Sequence, residues 1–156
     1  MEVKPGYKQT EVGVIPQEWD IGILGRICNF ENGDRSSNYP SPASFVQSGV
    51  AFINAGHVSD GKIDSASMDY ITPESYRRLG GGKVKPGDIL FCLRGSLGKF
   101  GVVAQDFGQG AIASSLIIVR PKARSLIGEF LAFSGLTPTE FLRHSSHRVK
   151  EGHVLE

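Results

Sequence analysis

Hydrophobic positions along the chain fall into short runs, and the spacing within each run predicts its element. Val50-Ala51-Phe52-Ile53 and Ile89-Leu90-Phe91-Cys92-Leu93 are continuous apolar stretches bounded by turn residues, the pattern of buried strands. Ala111 to Val119 is the longest apolar run, and its β-branched content and the stop at Pro121 predict one central strand. Val102-Val103 reads as a shorter strand. Trp19, Ile21, Ile23 and Ile27 alternate with small or polar residues, which fits a short strand before a turn through Gly25, or else a single helical turn. From Ser125 onward, Leu126, Ile127, Phe130, Leu131 and Phe133 recur at helical spacing. Residues 1–16 are polar, carry Pro5 and Pro16, and read as an extended lead-in.

Punctuation between the runs is strong. Asn32-Gly33-Asp34, Asp60-Gly61 and Pro86-Gly87-Asp88 each mark a turn. Thr72-Pro73-Glu74 predicts a helix start: Thr as N-cap, Pro at the first helical position, Glu in the positive end of the dipole. That helix carries Tyr76, Arg77, Arg78 and Leu79 and should stop at Gly80-Gly81-Gly82. Arg35 to Ser44 is rich in Ser, Pro and Asn and reads as a long exposed loop. With 20 Gly and 8 Pro in 156 residues, nearly one residue in five interrupts regular structure, which argues for short elements and against a helical bundle. The expected class is α+β: a sheet-rich domain with short helices over residues 1–124, then a partial helical segment or tail over 125–156.

The charge total changes the picture only when divided. Seventeen Lys and Arg against sixteen Asp and Glu give +1 overall. Residues 1–75, however, hold five basic and ten acidic side chains, and residues 76–156 hold twelve basic and six acidic. A chain split in this way can present one basic face to a polyanion while staying neutral overall, although segregated charge is also compatible with an ordinary domain. Cys28 and Cys92 lie in apolar surroundings and read as reduced, buried thiols rather than as a disulfide framework or a metal site. No run approaches the roughly 18 apolar residues of a membrane span, and the N-terminus lacks the apolar core of a signal peptide, so the expected location is cytoplasmic, with no membrane partner.

Enzyme signatures fail on their context. Gly80-Gly81-Gly82-Lys83-Val84 has Arg77 where a phosphate loop needs its first Gly, and no Ser or Thr follows the Lys. Gly108-Gln109-Gly110-Ala111-Ile112-Ala113 has dinucleotide-loop spacing but leads into a strand instead of a helix. No G-x-S-x-G elbow occurs. His144, His147 and His153 lack a nearby Cys and read as exposed side chains on a basic tail, so no metal and no cofactor is expected. His57 follows a strand and a Gly, where it is either a loop contact or a satisfied structural histidine.

The segment Arg94-Gly95-Ser96-Leu97-Gly98-Lys99-Phe100-Gly101 is more informative. Its glycines allow close backbone approach, Arg94 can fork onto a guanine edge or a phosphate, Lys99 supplies a point charge, and Ser96 can donate or accept. A tight connection with incidental charge is the competing reading. The Arg35–Pro42 loop is a second candidate for entering a DNA groove.

At these residues the sequence resembles the specificity subunits of type I restriction-modification systems, in particular one target recognition domain. Lys8 through Trp19 is similar to the family's entry segment, and Phe52-Ile53-Asn54-Ala55 with Gly61-Lys62-Ile63-Asp64 to its middle strand and turn. Lys85-Pro86-Gly87-Asp88-Ile89-Leu90, followed by Arg94-Gly95-Ser96-Leu97-Gly98, resembles its most specific signature, and Ser114 to Pro121 the strand behind it. The resemblance spans roughly residues 7 to 122. It implies a non-catalytic module that reads one half of a bipartite site in double-stranded DNA and docks methyltransferase subunits. A motor-nuclease subunit would join through the assembled complex. Base flipping and methyl transfer would belong to the partner, in keeping with the lack of a D/N-P-P-aromatic motif. Since the family's subunits hold two such domains, the resemblance implies a truncated subunit, or a half-subunit that forms a homodimer. The expected DNA contacts are led by Arg94, Ser96 and Lys99, then Arg35, Asn38 and His57, with Lys83 and Lys85 as phosphate anchors. The rival expectation is a β-rich protein-interaction module, or an assembly-only fragment that does not bind DNA by itself.

Overall fold

A computed structural model describes residues 3–11, 13–18, 24–95 and 98–122 of the chain. In order, its strands and helices are β1 (Tyr7–Thr10), β2 (Gly13–Pro16), α1 (Leu24–Ile27), β3 (Cys28–Asn32), β4 (Val50–Ile53), β5 (Val58–Ser59), β6 (Lys62–Ile63), β7 (Asp69–Ile71), α2 (Pro73–Arg78), β8 (Ile89–Cys92), β9 (Phe100–Val102), β10 (Gly110–Ile112) and β11 (Leu116–Pro121). This is the sheet-rich α+β class with short helices that the turn density predicts. The helical spacing from Ser125, the residues Trp19 to Ile23 and the three C-terminal histidines lie outside the described residues.

Two sheets carry the domain. One is four-stranded and antiparallel, in the order β3-β11-β8-β9. The other has the order β10-β4-β7, with β10 parallel to β4 and β7 antiparallel to it. Their facing sides meet in a core of Ile53, Leu90, Cys92, Ile112, Leu116 and Ile118, joined by Val58, Met68, Val84 and Val103. Strand alternation explains the division: Leu116 and Ile118 face this core, whereas Ile117 and Val119 point to the opposite side with Cys28, Ile89 and Phe91. The outer side of the three-stranded sheet buries Val50, Phe52, Ile71 and Ala111, with Leu79, Phe45 and Tyr76 packed in the same cluster. The α2 region and the loop after β3 therefore form one layer on that side.

Four expectations need correction. Residues 1–16 are no featureless lead-in: β1 and β2 pair antiparallel, Tyr7 opposite Pro16 and Thr10 opposite Gly13. The run from Ala111 to Val119 is two strands in two sheets, not one. Ala113 N–H still donates to the Ile53 carbonyl (2.7 Å), but the next turn closes by Leu116 N–H to the Ala113 carbonyl (3.1 Å) and carries the chain across. Ser114 and Ser115 supply the turn, being residues that compete with a ladder for backbone hydrogen bonds. The Cys28–Asn32 segment, read only as the setting of a buried thiol, is the edge strand β3. The turn expected at Asn32-Gly33-Asp34 is absent too: Asn32 ends β3, Gly33 and Asp34 are irregular, and the chain turns at Ser37 and Asn38. Other local signals hold. Thr72 Oγ1 caps α2 by accepting from Ser75 N–H (3.1 Å). Asp60 (φ 50°) and Gly61 (φ 79°) form the two-residue turn between β5 and β6. Both cysteines are free and buried, and burial pushes the Cys28 thiol up from its ordinary value.

The turn signature Pro86-Gly87-Asp88 turns out to build the domain's buried ionic centre. Asp88 is 1% exposed, and its carboxylate accepts from Arg120 Nε and Nη2, both at 2.7 Å. It also accepts from its own turn, from Lys85 N–H at 2.7 Å. Arg120 further donates to Glu31 Oε2 (2.9 Å) and the Lys83 carbonyl (3.0 Å), and Glu31 Oε1 accepts from Gly82 N–H (2.7 Å). One guanidinium thus joins β3, β11 and the segment leading to β8. The hydrogen bonds to Asp88, ahead of those to Glu31, hold the Arg120 guanidinium above its ordinary value.

Candidate nucleic-acid interface

The turn between β10 and β11 is the place where the loops after β3, β4 and β8 meet. Leu93 N–H, one residue before Arg94, donates to the Ser115 carbonyl (2.8 Å). Ala55 N–H, just past the end of β4, donates to Ser115 Oγ (3.3 Å). Ser114 N–H reaches the hydroxyl of Tyr39, in the loop after β3, in a long hydrogen bond of 3.5 Å. The ends of β4, β8 and β10 and the start of β11 therefore share one edge of the molecule, bordered by Arg94 on one side and Tyr39 on the other.

Several expected contacts lie on or near this edge. Arg94 is exposed and directly follows β8; its carbonyl accepts from the Cys92 thiol (2.8 Å), so its backbone is held while its side chain is outside. Lys99 is half-buried, and its carbonyl accepts from Cys92 N–H (3.0 Å) across the same connection. Ser96 falls outside the described residues. Arg35 and Asn38 are exposed in the loop after β3.

Three others are placed elsewhere. Lys83 bridges to Ala111 in mid-strand, with its ammonium 5.0 Å from the centre of the Tyr76 ring. Lys85 is exposed in the turn before β8, and the length of that strand, roughly 13 Å for four residues, separates it from Arg94. His57 is 5% exposed. Its Nδ1 accepts from Asn54 N–H (3.1 Å), which leaves the hydrogen on Nε2 to donate to the Ser67 carbonyl (3.0 Å). Of the two readings open at the sequence level, the geometry supports the satisfied structural histidine, and His57 leaves the set of contact candidates.

Tyr39, Asp34 and Arg77 also stand near these loops, although little in the sequence sets them apart as contacts. Tyr39 is the sole aromatic residue between Arg35 and Ser44, and that isolation is its one local signal. Asp34 reads locally as a turn residue, yet its Oδ2 accepts from Gly80 N–H (2.7 Å), fastening the loop to the end of α2. This places Arg35 in the same neighbourhood as the exposed Arg77, the adjacent Arg78 being paired with Glu74 (2.6 Å). The hydrogen bonds from Gly80 first, then Ser36, hold the Asp34 carboxyl below its ordinary value. A depressed carboxylate stabilises the fold above its unfolded pKa of roughly 4, and the contribution is lost as pH falls through the folded value. The amide resonances of Gly80 and Ser36 are expected to titrate together below about pH 4, as NMR would show; unmoved amides would mean that the carboxylate does not hold the loop.

Among the described residues, no group of three or more His, Cys, Asp or Glu is arranged to hold a metal ion, and no helix is long and apolar enough to cross a membrane.

The fold matches about a third of the length of solved chains of type I restriction-modification systems. A crystal structure of the HsdS subunit from Thermoanaerobacter tengcongensis superposes with a TM-score of 0.59 at 19% identity, covering 86% of this chain and 31% of that one. A chain from a structure of complex assembly and conformational transition in the type I R-M system superposes with a TM-score of 0.52 at 20% identity, covering 87% and 30%. In sequence, the chain is similar to curated type I restriction enzyme specificity subunits, which bears out the resemblance carried by its motifs. It is 25% identical to the EcoBI specificity subunit of Escherichia coli over 118 residues, 76% of this chain and 24% of that protein. It is 24% identical to the MjaVIII specificity subunit of Methanocaldococcus jannaschii over 87 residues, 56% of this chain and 20% of that protein. The chain thus spans about a quarter of the curated relatives' length. No family model matches the sequence.

Proposed function

We propose that this chain is a sequence-specific DNA-recognition module of a type I restriction-modification system, reading one half of a bipartite site and performing no catalysis itself. The observation that carries the reading is a coincidence of likeness and geometry. The chain is similar to specificity subunits over 118 residues, and its fold brings three loops to one edge, with Arg94 exposed after β8 and Arg35 and Asn38 exposed in the loop after β3. Cations at such an edge anchor phosphates and set the register on the duplex, while the forked guanidinium of Arg94 is suited to the O6 and N7 of guanine. Lys99 adds charge beside it, and Lys83 and Lys85 serve as more distant phosphate anchors. Ser96 belongs to the same loop by sequence. Methyltransferase subunits would supply base flipping and chemistry, and a motor-nuclease subunit would join through them. One half-site offers few base pairs, so isolated binding is weak, and a second module at fixed spacing raises it through effective concentration.

The test is titration of the chain with a duplex drawn from a randomised pool, at low and moderate salt. Log affinity is expected to fall linearly with log salt. Arg94→Ala should weaken binding roughly tenfold and reduce the salt slope by about one if the contact is to phosphate, or relax one sequence position if it is to a base. Affinity without a salt slope, together with an unaffected Arg94→Ala variant, overturns the assignment. Capture of a methyltransferase subunit without detectable DNA binding would favour the assembly-only reading.

A further inference from the structure

The 17 residues between Asn32 and Val50 contain no named strand and one short helical turn, Pro42–Ser44, yet the loop is fastened along its length. Loops this long in a compact domain are uncommon and usually functional. At its start, Asp34 accepts from Gly80 N–H through Oδ2 (2.7 Å) and from Ser36 N–H through Oδ1 (2.6 Å). Asn38 N–H then donates to Ser36 Oγ (3.1 Å), and Tyr39 N–H to the Ser36 carbonyl (3.1 Å). In the middle, the Tyr39 ring stands edge-on to Phe52 with centroids 5.6 Å apart and planes at 73°. At the end, Phe45 packs on the same Phe52 (5.8 Å), and Val46 N–H donates to the Tyr70 carbonyl (2.9 Å). Between these points Arg35, Ser36, Ser37 and Asn38 are exposed, and Tyr39 is 36% exposed. The loop is a fixed frame that presents a polar row to solvent.

We propose that Tyr39 is a specificity-determining residue of the DNA surface and that Asp34 is the positioning residue that sets the loop carrying it. The inference rests on the DNA-recognition reading above and deepens it. Phe52 packs against the ring, and the Ser114 N–H donates to the hydroxyl oxygen (3.5 Å), which leaves the phenol's own proton unused by that contact and available to an acceptor. A donor held this way selects for acceptors on a base edge: N7 and O6 of guanine, N7 of adenine, or O4 of thymine. A tyrosine pre-set by packing loses little conformational freedom on binding, which a free polar side chain cannot match. Asp34 lies five positions earlier and touches no base in this scheme. It acts by tying the loop to the end of α2.

The experiment selects duplexes from a pool with a randomised centre using the full chain at low salt, then titrates the selected and an unselected duplex. Tyr39→Phe keeps the ring on Phe52 and removes the donor. It should cut affinity for the selected duplex roughly tenfold, relax the selected sequence at one position, and leave the salt slope and the affinity for the unselected duplex unchanged. Asp34→Ala should relax selection in the same direction, and adding Tyr39→Phe to it should cost little more, because the first change already releases the loop. If Tyr39→Phe melts like the parent and retains both sequence preference and affinity, this inference fails while salt-dependent DNA recognition stands. Additive effects of the two substitutions would remove Asp34 from its role. A parent chain that binds no duplex at low salt overturns both readings together.

Discussion

Arg120→Met should lower the unfolding free energy by about 3–5 kcal/mol, enough to leave a domain of ordinary stability marginal at best. The reason lies in what remains behind. Asp88 is 1% exposed and loses two donors at 2.7 Å, keeping only the Lys85 amide among its described partners. A buried carboxylate without its cation has no route to water, and the methionine cannot solvate it. The reverse substitution is milder. Asp88→Asn leaves an acceptor for Lys85 N–H, and the Arg120 side chain is 21% exposed and still bonded to Glu31, so a loss of about 1–3 kcal/mol is expected. The ranking is the informative result, read from urea midpoints at constant slope. Equal, small effects from both variants would mean that the pair behaves as a surface ion pair worth under about 1 kcal/mol.

Gly82→Ala is expected to cost about 2–5 kcal/mol, the sum of left-handed backbone strain and overpacking. Gly82 has φ +76°, and a Cβ there would sit 2.8 Å from the Gly33 Cα and 3.1 Å from Ile112 Cγ1. Gly33 is itself close to backbone, since a Cβ built on it would lie 2.7 Å from the Ile112 carbonyl oxygen and 2.8 Å from that of Ala113. The two glycines therefore let the segment after α2 cross the start of the Tyr39 loop above β10. Gly87→Ala is the control. It shares the positive φ (+85°) but nothing stands within 4 Å, so strain alone should appear, about 1–2 kcal/mol. Thermal denaturation of the pair separates crowding from conformation, and equal losses would show that the crossing tolerates a methyl group. Because Gly82 N–H also donates to Glu31 (2.7 Å), its variant should loosen the Arg120 centre as well.

These expectations expose how unevenly the sequence revealed its roles. Pro86-Gly87-Asp88 was readable as a turn, because its residues bias the backbone locally, but Asp88 as the partner of a buried arginine was not. Arg120 lies 32 positions from Asp88 and 89 from Glu31, and nothing local distinguishes it from any cation beyond an apolar run. The edge strand Cys28–Asn32 carries no clear signal in the sequence, because three of its five residues are polar and only Cys28 is fully buried. Ala111 to Val119 reads as one strand because two serines in an apolar run do not announce a change of sheet.

The candidate interface divides in the same way. Arg94, Lys99, Arg35 and Asn38 could be named from residue type and loop context. His57 could not be assigned, because burial and the hydrogen bonds to Asn54 and Ser67 decide its role. Lys85 could be named, but not its distance from Arg94.

By itself, the sequence determined the class of elements, their punctuation, the capped start of α2 and the likeness to specificity subunits. All of these depend on neighbours within a few positions or on motif order. Only the tertiary structure decided that the apolar run serves two sheets and that Arg120 is the ionic centre. It also decided that Ser114 and Ser115 gather three loops, and that Tyr39 stands at the edge they form. Each of those facts depends on which distant backbone groups and side chains come within hydrogen-bond reach, and chain folding, not local preference, sets that distance.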